Sequence, residues 1–245
     1  MSRQARVSGE YLHVIVRGIG KQILFEDSAD YNYYISLLRR FRDETKIVIL
    51  AYCLMENHVH LLLKDSNQVT TLFMKKLGVS YASYYNRKYT RTGHLFQDRY
   101  KSENVTDDSY LLSVYRYILR NPEKAGIAPA KDYPWSSYHE YGRPDDTLIT
   151  ETNLLAALIG NDTDFSAFMA EADTTECLEF LPPVHDDAWA LAIIKETMNE
   201  SSGTALQKMP KAQRDKTLAT LKNKGISIRQ LERLTGINRG VIQKA

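Results

Sequence analysis

The sequence predicts an α+β protein: an antiparallel sheet with helices packed on it, followed by an all-α C-terminal region. Three observations carry this. Short apolar runs of strand composition alternate with segments of helical periodicity through the first half of the chain. Two of those runs, KIVILAYCL and HVHLLLK, are separated only by Met55-Glu56-Asn57, which makes them an antiparallel hairpin. From about Asp145 onward the pattern is helical throughout.

The elements follow in order. Tyr11 to Arg17 has strand composition, with His13, Ile15 and Arg17 on one face and Gly18 breaking it. Ser28 to Glu44 places Tyr31, Tyr34, Ile35, Leu38 and Phe41 at helical spacing, with Arg39, Arg40 and Arg42 near the end. Lys46 to Leu54 and His58 to Lys64 are the strands of the hairpin, and Val69 to Thr90 is a second helix with an aromatic-rich end. TRTGHLFQDRYKSENV reads as a loop. Thr106 is the expected N-cap of a third helix, with Asp107 and Asp108 in its first turn, running to about Asn121 where Pro122 stops it. Near the C-terminus, QRDKTLATLKNK is a helix ending at Gly225. Ser227 and Gln230 form a capping box for the next, on which Leu231 and Leu234 face inward, Thr235-Gly236-Ile237 turns, and Asn238 caps a last helix. Helix, glycine turn, helix is the helix-turn-helix pattern.

Composition bounds the function. With 245 residues, 43% of them hydrophobic and 25% charged, and only 12 Gly and 7 Pro, collagen-like and disordered readings fail. No apolar run approaches the roughly 20 residues of a membrane helix, and MSRQARVSGE lacks the apolar stretch of a signal peptide, so no membrane association is expected. Cys53 and Cys177 cannot make a disulfide framework, which points to a reducing, cytoplasmic setting. The net charge of +2 hides a division: residues 1–142 carry 20 Lys and Arg against 15 Asp and Glu, residues 143–200 carry 2 against 13, and residues 201–245 carry 10 against 2. Two basic blocks around an acidic one suit surfaces that face an anionic polymer, and the acidic middle reads as a helical connector broken at Pro182-Pro183. The expected organisation is therefore residues 1–142, a connector over 143–200, and residues 201–245.

Two groups of residues can do chemistry. His58 and His60, two apart on a strand, point to one face about 7 Å apart and can converge on a cation. The same pair is also compatible with two ordinary histidines on a sheet. Val59, Leu61 and Leu63 take the core face, leaving the histidine face free for a site with no cysteine near it. Two ligands are too few for structural zinc, so a catalytic metal completed by an oxygen ligand and water fits better. Tyr117 and Asn121 form the second group, one helical turn apart on one face. The Asn oxygen suits a hard cation such as Mg²⁺ or Mn²⁺. A tyrosine one turn away would meet a phosphodiester held there, although with 16 Tyr in the chain, packing roles are common. Tyr115, among Leu111, Leu112, Ile118 and Leu119, reads as packing.

In order, YLHVIVRG, AYCLMENHVHLLLK, GHLFQDRYKS, SYLLSVYRYILRNPEKAG and WSSYHEYG resemble the signature blocks of the single-tyrosine HUH transposases, the transposase IS200-like proteins, and within them the REP-associated tyrosine transposases. The resemblance covers roughly residues 7–142. It implies a ferredoxin- or RRM-like sandwich. It implies a divalent metal, Mg or Mn, held by His58, His60 and Asn121. The Y-I-x-x-N-P pattern implies Tyr117 as nucleophile, with Tyr115 its nearest competitor. The implied activity is cleavage and rejoining of single-stranded or hairpin DNA through a 5′-phosphotyrosine, by a monomer or homodimer. Arg17, Lys21, Arg91, Arg99 and Lys101 lie in the matched blocks as candidate phosphate contacts, and His94, Phe96 and Gln97 are candidates to touch bases. The C-terminal helix-turn-helix departs from the minimal family domain. Its Arg229, Arg233, Arg239 and Lys244 are expected to meet duplex DNA, or else to serve a basic protein-interaction domain.

Three other readings compete. A non-catalytic, sequence-specific DNA-binding regulator derived from a transposase would keep the fold and lose the chemistry. A metal-dependent nuclease using water would leave Tyr117 structural and form no adduct. An RNA-binding module of similar architecture would need no metal.

Overall fold

The computed structural model describes residues 10–141, 148–160, 164–172, 177, 187–198 and 203–245. The expected break at Pro182-Pro183 lies outside them. Four strands, β1 (Tyr11–Arg17), β2 (Val48–Met55), β3 (His58–Lys64) and β4 (Lys101–Val105), form an antiparallel sheet in the order β2-β3-β1-β4. Helices α1 (Ser28–Thr45) and α2 (Thr70–Lys88) connect them, and α3 (Asp108–Leu119) follows β4.

Alternation along the strands decides which helix covers which face. Leu12, Val14 and Val16 of β1 and Val59, Leu61 and Leu63 of β3 join Tyr34, Leu38 and Phe41 of α1 and Phe73, Leu77 and Tyr81 of α2 in one core. Ala51, Cys53, Met55 and Leu62 face the other way, into a second core with Leu111, Val114, Tyr115 and Ile118 of α3. Five consecutive residues of β1 and of β3 are thus buried on both faces. In β2 a bulge between Ile49 and Ala51 absorbs one residue, so that Leu50 and Ala51 both reach the second core before alternation resumes.

Local chemistry fixes the joints. Asp27 caps α1 in a capping box with Asp30, and the Asp65 carboxylate accepts from the backbone N–H of Val69 and Thr70 at the start of α2. The tip of the β2–β3 hairpin is tied down: Glu56 O accepts from Leu24 N at 2.7 Å, and Asn57 O from Gly18 N at 3.0 Å. The outer edge of β2 is covered by the chain near Trp135, where Leu54 N donates to Trp135 O at 2.9 Å and Tyr133 Oη to Leu54 O at 2.7 Å. Trp135 packs, stacking on Tyr31 at 4.4 Å.

Three sequence expectations need correction here. The C-terminal part of the anticipated 90–105 loop is strand β4, which the polar run KSENV concealed because an edge strand needs no apolar alternation. The N-cap of α3 is Asp107, whose carboxylate accepts from Tyr110 N at 2.8 Å, while Thr106 instead donates to that carboxylate. Pro122 does not end the helical run. α3 stops at Leu119, and Pro122 sits at the start of a further turn, α4 (Asn121–Lys124), where its missing N–H costs nothing.

The chain divides into two compact units, Met1–Phe180 and Leu181–Ala245. The segment expected as one connector is therefore shared out. In the first unit, Leu155 of α5 (Asn153–Ile159) and Phe168 of α6 (Phe165–Ala170) extend the second core, and Glu171 beyond α6 pairs with Arg116 at 2.7 Å. In the second unit, Ala190 and Ile194 of α7 (Asp187–Met198) pack with Leu218 and Leu221 of α8 (Lys211–Asn223), Leu231 of α9 (Ile228–Thr235) and Ile242 of α10 (Arg239–Lys244). The Ser227–Gln230 capping box, the left-handed Gly236 and the Asn238 cap are all present. Among the described residues no helix is long and apolar enough to cross a membrane.

Asp30 is a heavily bonded carboxylate of the first unit. Its side chain is fully buried and accepts from Lys88 Nζ at 2.7 Å, Tyr89 Oη at 2.7 Å, Tyr84 Oη at 3.1 Å and Glu26 N at 2.9 Å. Burial alone would raise its titration point, but the hydrogen bonds from Lys88, Tyr89, Glu26 and Tyr84 outweigh it and hold the carboxyl below the usual range. Its stabilising contribution is complete above the unfolded carboxylate value of about 3.9 and is lost as pH falls through the lower folded value. Asp30→Asn is expected to cost about 1–3 kcal/mol at pH 7, a penalty that shrinks toward pH 2. Urea unfolding of both proteins at the two pH values measures it.

Candidate active site

The histidine face of the sheet and the facing side of α3 make one site. Strand pairing places Ile15 opposite His60 and Arg17 opposite His58, so His13, Arg17, His58 and His60 share a face. α3 lies across it, so the face that the core leaves free for a site is itself covered: His60 is 2% exposed, Tyr117 6% and Asn121 9%. Cys53 pairs with His60 across the hairpin, so a cysteine does stand on this face. Burial pushes its thiol up, and its Sγ meets Met55 Sδ at 3.6 Å, as a packed apolar group.

The rings of the proposed chemistry converge. His58 and His60 have centroids 4.9 Å apart, and Tyr117 meets His60 edge-on at 5.5 Å. Asn121 Nδ2 donates to Tyr117 O at 3.0 Å, and the Asn121 side chain is hydrogen-bonded to His58. Tyr115 points elsewhere. It is fully buried, its ring meets Tyr141 at 6.2 Å, and its hydroxyl has no hydrogen-bond partner. The difference comes from α3 itself: two residues along a helix turn the side chain about 200° away.

His13, absent from the sequence-derived site, belongs to it. It is fully buried, stacks on His60 at 5.3 Å, approaches Tyr117 edge-on at 5.7 Å, and brings Nε2 to 3.1 Å from His60 Nδ1. Its signal in the sequence was its place two and four residues before Ile15 and Arg17 on the same strand face.

The histidines are held neutral. Burial lowers His13 to about 3, and burial with the nearby Arg17 charge lowers His58 to about 4 against the opposing Asn121 hydrogen bond. Burial, then the neighbouring His13 and His58, take His60 well below its ordinary value. Neutral imidazole is the form that ligates metal. The Nδ1 atom of His58 lies 2.7 Å from Asn57 Oδ1, an acceptor for the tautomer that carries its proton on Nδ1 and leaves the lone pair on Nε2. Among the described residues no group of three His, Cys, Asp or Glu side chains is arranged to hold a metal ion. His58, His60 and the Asn121 amide offer a neutral donor set that would suit a small divalent ion.

The other expected contacts spread along the first unit. Arg99 and Lys101 are exposed, Lys101 pairing with Ile15 on the histidine face. Arg91 turns inward, its guanidinium reaching Asn86 Oδ1 and His94 O, both at 3.4 Å. The side chain of Lys21 lies outside the described residues. His94 is exposed and Gln97 half-buried, while Phe96 packs against the first core. A basic residue that the sequence reading passed over, the exposed Lys124, sets Nζ 4.4 Å from the Tyr117 ring centroid. In the second unit Arg229, Arg233, Arg239 and Lys244 are exposed, with Arg233 ion-paired to Asp187.

A family model described as "Transposase IS200 like" matches residues 6–121. A solved structure of a REP-associated tyrosine transposase bound to a REP hairpin is similar at 17% identity and TM-score 0.52, over 68% of this chain and 96% of that one. A putative transposase from Deinococcus radiodurans R1 is similar at 19% identity and TM-score 0.35, over 45% of this chain and 90% of that one. No curated protein matches the chain. With its four-stranded antiparallel sheet flanked by helices, the first unit has the HUH fold, and residues 6–121 are a transposase IS200-like domain.

Proposed function

We propose that the chain is a metal-dependent transposase-type transesterase that cleaves and rejoins single-stranded or hairpin DNA through a 5′-phosphotyrosine at Tyr117. The observation that carries this is the placement of the Tyr117 ring against His60, with Asn121 one turn on joined to His58. The choice of hairpin DNA is supported by the fold relative solved with a REP hairpin.

In this reading His58, His60 and Asn121 hold a divalent Mg or Mn ion, which when bound polarises the scissile phosphate as a Lewis acid. The Tyr117 oxygen attacks phosphorus, the phenolic proton departs, and the bond to the 3′ oxygen breaks. The 3′-OH leaves with a proton. The phosphotyrosine keeps the bond energy of the phosphodiester, so attack by a second 3′-OH rejoins DNA without ATP. Arg17 and Lys101, on the histidine face, and the exposed Arg99 and Lys124 supply positive charge for the backbone; Arg91 and Lys21 complete the proposed set. The second unit is proposed to bind duplex DNA as a helix-turn-helix, through Arg229, Arg233, Arg239 and Lys244. Its support is the exposure of all four on α9 and α10.

Denaturing electrophoresis with labelled single-stranded hairpins and Mn²⁺ tests the reaction. The expected result is a covalent band that survives in Tyr115→Phe, disappears in Tyr117→Phe, and is lost by at least 100-fold in His58→Ala or with excess EDTA. Cleavage without a band would mean a water nucleophile. Neither band nor cleavage, with duplex binding intact, would mean the regulator. Duplex binding is tested separately: Arg239→Ala with Lys244→Ala is expected to weaken duplex affinity several-fold and to lower the slope of log K against log salt by about 2. An unchanged slope would remove these residues from the interface.

A further inference from the structure

We propose that His13 is a positioning residue for the metal site: it accepts a hydrogen bond from His60 Nδ1–H, fixing His60 in the tautomer whose Nε2 lone pair faces the cation. The inference rests on the reading of His58, His60 and Asn121 as metal ligands and deepens it.

The argument starts from strand register. His13 pairs with Leu62 and Ile15 with His60, so His13 and His60 are diagonal neighbours on one sheet face, within reach of ring-to-ring contact. Their nitrogens stand 3.1 Å apart, and the rings stack at 5.3 Å. Two neutral imidazoles at that distance share one proton. If His13 Nε2–H donates, His60 carries its own proton on Nε2 and cannot ligate through that atom. If His60 Nδ1–H donates, Nε2 keeps its lone pair, and His60 matches a His58 that turns Nδ1 toward Asn57 Oδ1 at 2.7 Å. Each ligand histidine then has its own outer partner: Asn57 for His58 and His13 for His60.

His13 has no other polar employment. Its Nδ1 is buried and lacks a hydrogen-bond partner, so its contact with His60 is the polar contact that a fully buried imidazole makes here. An apolar residue would fill the same space without leaving a polar atom unpaired. The second arrangement leaves a donor unpaired at His13 Nδ1, the first an acceptor. A cation on His60 Nε2 therefore selects the second arrangement against a competing one: the shared proton moves from His13 Nε2 to His60 Nδ1, His60 Nε2 gives its proton to solvent, and His13 Nδ1 takes one from it.

The test uses the full chain, with Mn²⁺ affinity followed by electron paramagnetic resonance and ¹⁵N-histidine NMR of the wild type with and without Mg²⁺. Loss of Mn²⁺ binding in His58→Ala checks the metal site on its own. His13→Phe, which keeps the ring volume and removes the acceptor, is expected to weaken Mn²⁺ by about 10–100-fold. His13→Gln, which can place an oxygen near the former Nε2, is expected to recover most of that loss. In the Mg²⁺-saturated wild type the His60 proton should reside on Nδ1. Unchanged affinity in His13→Phe, equal losses in Phe and Gln variants, or a His60 proton on Nε2 with Mg²⁺ bound would overturn the role while leaving the metal site standing. A wild type that binds no Mn²⁺ would overturn both.

Discussion

A sheet whose two central strands are buried on both faces requires two covers, and this constraint shapes the first unit. α1 and α2 cover one face with an ordinary apolar core. The other face cannot be ordinary, because β1 and β3 place His13 and His60 on it among Cys53 and Leu62. The helix that covers it, α3, presents Tyr115 to the core and Tyr117 to the histidines. Packing and site formation are thus one event, and anything that loosens α3 opens the site. Arg116 and Arg120 guard against this: the first is buried under Phe168 and paired with Glu171, the second donates to Met169 O and Glu171 O.

The same burial sets the electrostatics. Three imidazoles brought within ring contact would repel one another if charged, and desolvation drives each toward the neutral form. The result is a set of lone pairs near Arg17 and Lys124. A nucleophilic phenol gains from nearby positive charge and loses from negative charge, so the composition of this pocket is consistent with the proposed chemistry.

Much of the fold was legible because its local signals agree. Strand β1, the hairpin strand β3 and helix α1 fall where periodicity places them, and the C-terminal caps are where Ser227, Gly236 and Asn238 put them. β4 was not legible: its residues are polar, and its pairing with β1 depends on a partner far away in sequence. The acidic stretch also misled. Charge composition reads as a connector, while Leu155, Phe168, Ala190 and Ile194, few and widely spaced, recruit its parts into two different cores.

The sequence by itself determined the chemistry available: two histidines at strand spacing, a tyrosine and an asparagine one helical turn apart, and an ordered set of blocks resembling one family. Only the tertiary structure decided what meets what. Strand register, which a single sequence does not encode locally, set His13 diagonal to His60 and Cys53 opposite it. The crossing of α3 over the sheet buried the histidine face that the strand pattern left free for a site. Both depend on long-range pairing and packing, and residue spacing along the chain carries no direct record of either.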